Sequence, residues 1–130
     1  MEQQDLIKLS ILEQQSNQIE EQINAVNQNI AQLEALSLSL LNLDRDKKNG
    51  LLAPMGKGIF IESEIKSKKL FVNIGSNILV KKTPQESIEI IENQVKEMHR
   101  IKHLLSEQLE KSANELQILI EQAQKEQDKK

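Results

Sequence analysis

Two stretches of the chain repeat apolar residues at alternating steps of three and four, and this limits the fold more tightly than anything else in the sequence. In the first, Leu9, Ser16, Ile23, Ile30 and Ser37 hold one heptad position, a, while Leu12, Ile19, Val26, Leu33 and Leu40 hold the other, d. Between Glu13 and Gln32 the residues off this seam are Gln, Asn or Glu, apart from Ala25 and Ala31. A stripe of two apolar positions in seven is that of a coiled coil; a helix on a globular core carries a wider apolar face. The second stretch repeats the pattern, with Ile88, Val95, Lys102, Leu109, Leu116 and Ala123 at a and Ile91, Met98, Leu105, Ser112 and Leu119 at d. Its start is marked by Thr83-Pro84-Gln85-Glu86: Thr at the N-cap, Pro at the first helical position and Glu three residues after the cap. Asn49-Gly50 is the predicted terminator of the first helix. Each helix would run roughly 40–48 residues, about 60–70 Å.

Composition agrees with rods over a globule. Aromatics are 2% of 130 residues, with no Tyr or Trp, so the large side chains that fill an ordinary core are missing. Without Cys there is no disulfide framework, thiolate nucleophile or Cys-ligated metal. The acidic, polar start and the lack of any run of about 18 apolar residues predict neither a signal peptide nor a membrane span, and a cytoplasmic protein is expected. A net charge of −3 does not point to nucleic acid.

Between the helices, from Leu51 to Lys82, the period becomes two. Ile59, Ile61 and Ile65 alternate with Phe60, Glu62, Glu64 and Lys66, then Leu70, Val72 and Ile74 with Phe71 and Asn73, followed by Ile78 and Val80. Pro54, Gly56 and Gly58 stand ahead of this run, Lys66-Ser67-Lys68-Lys69 within it, and Gly75-Ser76-Asn77 after Ile74. Short strands in two hairpins are predicted. A lone hairpin is marginal in water, so strands Ile59–Lys66 and Leu70–Lys82 are expected to pair with another chain.

Closing the chain brings the helices together antiparallel, pairing Leu9 with Leu119, Leu12 with Leu116, Ser16 with Ser112, Ile19 with Leu109 and Val26 with Lys102. The expected fold is α+β, a long antiparallel coiled-coil helical hairpin with two central β-hairpins. Residues 1–49 form the first helix, 50–82 the hairpins and 83–130 the second helix, within one domain. The heptads leave open the order of residues 124–130.

The central segment resembles a known family. Leu51-Leu52-Ala53-Pro54-Met55-Gly56-Lys57-Gly58-Ile59-Phe60-Ile61 is similar to the stretch that opens the strand region of alpha-class prefoldin subunits. Leu70 to Val80 with Thr83-Pro84-Gln85-Glu86-Ser87-Ile88 resembles their second hairpin and following helix start. Two hairpins point to the alpha class over the beta class. The resemblance implies an ATP-independent molecular chaperone, not an enzyme, with no cofactor. It implies that Ile59, Phe60, Ile61, Ile65, Leu70, Val72, Ile74, Ile78 and Val80 lie on strands that join an intersubunit β-barrel. It further implies a hetero-hexamer of two alpha and four beta subunits, whose coiled-coil tentacles hold non-native polypeptide clients and pass them to a group II chaperonin. Neither nucleic acid nor membrane is an expected partner.

Off-seam apolar residues locate a client surface without the resemblance. Leu6, Ile7 and Ile11 lie off the first seam, Ile118 and Ile120 off the second, with Ile7 expected opposite Glu121 and Ile11 opposite Gln117. Exposed apolar groups at a helix end mark an interaction site. With the neighbouring seam residues they give the expected client-binding set: Leu6, Ile7, Leu9, Ile11, Leu12, Leu116, Ile118, Leu119 and Ile120. The competing reading is a seam that broadens where the supercoil relaxes. A second group (Leu36, Leu38, Leu41, Ile90, Ile101, Leu104) is expected to cover the base of the strand platform.

Charge is segregated. Residues 1–49 carry 4 basic and 8 acidic side chains, residues 50–84 carry 6 and 2, and residues 85–130 carry 7 and 10. Acidic arms on a basic hub would repel one another, although ordinary solvated faces explain the same counts. His99 and His103 share a helix face, but Arg100 stands where a zinc-protease motif needs Glu, so neither a metal nor a catalytic site is expected. Gly56-Lys57-Gly58 lacks the spacing of a phosphate loop. Lys102 at a seam position reads as a register or partner device. Two other functions fit the pattern: a structural coiled-coil oligomer or filament subunit without client transfer, and an assembly scaffold.

Overall fold

Both heptad stretches are helical in the computed structural model, which describes residues 3–128. Helix α1 spans Gln3–Arg45 and α2 spans Pro84–Asp128, 43 and 45 residues. Between them lie β1 (Gly50–Gly56), β2 (Ile59–Glu64), β3 (Leu70–Asn73) and β4 (Leu79–Lys82). The outermost positions of the expected helices, 1–2 and 129–130, lie outside the described residues. Every residue assigned to a or d is buried or half-buried, and every off-seam residue from Glu13 to Gln32 is exposed. The narrow stripe is therefore the buried stripe. Ile30, Ile91 and Ala123 are its most enclosed apolar members.

The chain divides into two compact units. One holds α1 up to Ala31 and α2 from Lys96. Here the two helical segments run antiparallel, because low numbers on α1 meet high numbers on α2: Leu12 shares a groove with Leu119, and Gln22 shares one with Gln108. The Ser16 hydroxyl is buried with no hydrogen-bond partner, so the seam is incompletely satisfied at this position. An unpaired buried hydroxyl costs about 1–3 kcal/mol. The double change Ser16→Leu and Ser112→Leu removes that cost and buries apolar surface, with room to expand into the open groove that Ser112 lines. We expect it to raise stability by about 2 kcal/mol or more, read as a higher Tm.

The second unit, Gln32–Val95, holds the end of α1, the strands and the start of α2. Helix α1 stops at Arg45, four residues short of the expected Asn49. The Asp46 carboxylate accepts a hydrogen bond from the Lys48 N–H at 3.0 Å, turning the backbone out of the helix. Gly50, expected as the terminator, instead opens β1 opposite Glu64. The Lys68 ammonium donates to the carbonyls of Asp44 and Asp46, meeting acceptors that a helix end leaves free.

Pro54 and Gly56, expected as punctuation ahead of the strands, lie within strand β1. It pairs antiparallel with β2, Leu52 opposite Glu62 and Pro54 opposite Phe60, with an irregularity between Pro54 and Gly56. Pro54 is tolerated because β1 is an edge strand. Lys57 and Gly58 form the turn with φ of 51° and 81°, both in the left-handed region, as in a two-residue type I′ hairpin. The ladder runs on past Glu64 through the Ile65 N–H, which donates to the Asn49 carbonyl at 2.7 Å. The expected strand Ile59–Lys66 thus ends at Glu64, since the chain bends at Lys66.

The expected strand Leu70–Lys82 is two strands and a turn. Val72 pairs with Val80, and Leu70 with Lys82. The Asn73 side chain accepts a hydrogen bond from the Gly75 N–H at 2.9 Å, and Ser76 and Asn77 take positive φ to reverse the chain. The two hairpins are separate two-stranded sheets. Among the described residues each therefore leaves both outer edges of its backbone unpaired.

Helix α2 begins on the predicted capping box. The Thr83 hydroxyl accepts from the Glu86 N–H at 3.1 Å and donates to the Glu86 carboxylate at 3.0 Å. Hydrogen bonds from Thr83, with the Lys82 charge, hold the Glu86 carboxyl below its ordinary range. A depressed carboxylate stabilises the fold above its unfolded pKa, and this contribution is lost as pH falls through the folded value. Thr83→Ala should lower stability by about 1 kcal/mol in thermal unfolding at neutral pH. The gap from the parent should narrow in acid, where Glu86 is protonated in both proteins.

Candidate functional site

The antiparallel helical unit carries its apolar surface at the start of α1 and the end of α2. Leu6, Ile7, Ile11, Ile118 and Ile120 are all exposed, Ile7 by 54% and Ile118 by 55%. Leu9, Leu12, Leu116 and Leu119, the other members of the expected client set, are half-buried in the seam. The structure brings Ile11, Leu12, Ile118 and Leu119 together along one groove of about 380 Å³, whose other walls are Lys8, Gln15, Glu115 and Gln122. Ile11 therefore shares its groove with Ile118. Gln117, its expected opposite, is not among the lining residues. The reason is helical phase: Ile11 and Ile118 both occupy heptad position c, which an antiparallel pair brings to the same side.

A second groove, of about 480 Å³, is lined by Gln15, Gln18, Ile19, Gln22, Gln108, Lys111, Ser112 and Glu115. It shares Gln15 and Glu115 with the first. The residues of both grooves fall at c, d and g of the two heptads. The glutamines lie off the a and d seam, and their common g and c phase is the signal in the sequence that places them on one side.

On the hairpins, Ile59, Phe60, Ile61, Ile74 and Ile78 of the expected oligomerisation set are exposed, while Ile65, Leu70, Val72 and Val80 are half-buried. Ile74 and Ile78 flank the second turn, joined by a bond from the Ile74 N–H to the Ile78 carbonyl at 3.0 Å. Leu51, Leu52, Met55, Phe71 and Leu79 add exposed apolar surface that sequence reading did not include. Leu51, Leu52 and Met55 lie on β1, which Pro54 and Gly56 disguise, and Phe71 and Leu79 fall on the opposite phase to Leu70, Val72 and Val80. Phe71 lies opposite Lys81, whose ammonium sits 5.8 Å from the ring centroid. Of the group assigned to the platform base, Leu36, Leu38 and Leu104 are exposed, and Leu41, Ile90 and Ile101 are half-buried.

The polar pairs of α2 are surface features. Arg100 hydrogen-bonds Glu97, drawing its carboxyl below the ordinary range, and His103 Nε2 meets Glu107 Oε1 at 3.0 Å. Exposed pairs of this kind contribute little to stability. Lys102 is half-buried at its seam position. Among the described residues, no group of three His, Asp or Glu side chains is placed to hold a metal, and no helix is long and apolar enough to cross a membrane.

Two long antiparallel helices around a pair of β-hairpins, with apolar residues left uncovered on both, are the design of a prefoldin subunit. The family model described as Prefoldin subunit matches residues 8–129, and the chain belongs to this family. Within it the chain is of the alpha class. It is 34% identical over 94 residues to the prefoldin subunit alpha of Methanobrevibacter smithii, covering 72% of this chain and 64% of the relative. Against the prefoldin subunit alpha of Methanosphaera stadtmanae, identity is 29% over 85 residues, 65% of this chain. The match spans 62% of that relative's length. The cryo-EM structure of filamentous PFD from Methanocaldococcus jannaschii has the same fold, with a TM-score of 0.76 at 21% identity. That match covers 87% of this chain and 95% of the other.

Proposed function

We propose that the chain is one subunit of an ATP-independent chaperone that holds non-native polypeptides, acting in the cytoplasm without catalysis or cofactor. Its partners are beta-class prefoldin subunits, two alpha chains with four beta chains, assembled through the hairpin strands. Clients are held at the start of α1 and the end of α2 and passed to a group II chaperonin. The observation that carries this reading is the exposure of Leu6, Ile7, Ile11, Ile118 and Ile120 beside half-buried seam leucines. Burial of apolar area yields roughly 25 cal/mol per Å² without directional preference. Such a surface suits many unfolded clients and few folded ones.

A second reading, a filament subunit that carries no client, draws on the solved relative being described as filamentous. Mixing the chain with a beta-class subunit and weighing the product separates the two. A closed complex of six chains supports the hexamer, and growth without limit supports the filament. Light scattering from an aggregating client then tests holding directly: unsuppressed aggregation by the assembled complex overturns the chaperone reading.

A further inference from the structure

The two grooves of the helical unit meet at Gln15 and Glu115, so they form one furrow along the c–g side of the helix pair. Its chemistry changes at that junction. Toward the start of α1 the c positions are Ile11 and Ile118; beyond it they are Gln18 and Lys111. Along α1, Lys8 to Gln22 covers about 21 Å at the helical rise, the reach of an extended segment of about six residues. Gln15, Gln18, Gln22 and Gln108 are all exposed, and each amide offers both an N–H donor and a carbonyl acceptor. A peptide group offers the complementary pair.

We propose that Gln15, Gln18, Gln22 and Gln108 form a main-chain subsite for an extended non-native segment whose apolar side chains occupy the adjoining Ile11–Ile118 groove. This rests on the client-holding reading and deepens it. Apolar surface alone rewards any exposed apolar group, including patches on folded proteins. A folded protein has its backbone N–H and C=O groups already paired. Glutamine amides that bond free peptide groups therefore add selectivity for chain that has not folded, without reading its side chains. The flanking Lys111 and Glu115, opposite in sign, leave the subsite without a net charge preference.

The test uses the full chain and a fluorescent six-residue peptide, half leucine and isoleucine, half alanine, read by anisotropy. A second peptide carries N-methyl groups on the alanine half, which delete backbone donors and leave the side chains in place. Methylation should weaken binding about tenfold to the parent chain. It should weaken binding by less than twofold to a Gln18→Ala, Gln22→Ala, Gln108→Ala variant, in which alanine favours the helix. Equal losses in both proteins, or no loss in the parent, overturn the subsite while leaving client holding intact. If the unmethylated peptide fails to bind and client aggregation is also unsuppressed, the holding reading falls and the subsite falls with it.

Discussion

Replacing Ile7, Ile11, Ile118 and Ile120 together by serine is expected to abolish suppression of client aggregation while leaving the helices and the assembly as they are. None of the four is a seam residue, and their exposures of 54, 48, 55 and 39% mean that folding buries only part of each. On the proposed function, what they lose is the contact made with a client. Completing the burial of a half-exposed isoleucine contributes about 1 kcal/mol, so four lose about 4 kcal/mol, close to a thousandfold in client affinity. Circular dichroism and complex mass should match the parent. Full suppression by the variant would remove this surface from the mechanism and leave the broadened seam as the account of these isoleucines.

An effect of similar size is expected on the hairpins. Ile61 is 52% exposed and Phe71 66% exposed, on two sheets whose outer edges have no partner among the described residues. If those faces are covered by neighbouring subunits, the double change Ile61→Asp and Phe71→Asp replaces apolar contacts with two carboxylates; the one at position 71 faces Lys81, but the one at position 61 lies opposite Ala53 with no counter-charge across the ladder. Burying an unpaired charge costs several kcal/mol, enough to drive the complex to single chains at micromolar concentration. Sedimentation or native mass measurement reads this directly. An unchanged complex would mean that these strands do not build the interface. The proposed client surface is left intact in this variant, so the two results are separable.

The helices were legible because a coiled coil writes its packing into the chain at fixed intervals. Even Ser16, Ser37 and Lys102, which break the apolar rule, fall at the seam and are half-buried there. The capping box was equally plain, since its partners are local. Three features were not legible, each for a physical reason. Strand β1 was hidden by Pro54 and Gly56, residues that break strands in general but fit an edge strand and its turn. The end of α1 was misplaced because Asn49-Gly50 is the stronger generic stop, whereas Asp46 reaches Lys48 first. The meeting of Ile11 with Ile118 depended on helical phase on two segments at once, which neither heptad shows alone.

Lys68 ties together parts that the chain order keeps apart. Its ammonium touches the carbonyl of Asp44 in the last turn of α1 and that of Asp46 just past it, while its backbone belongs to the link between β2 and β3. Fraying of that helix end and slackening of that link are therefore coupled through this side chain. Acetylation, which removes this one charge, would loosen both together and blur the spacing between the hairpins before either hairpin itself came apart.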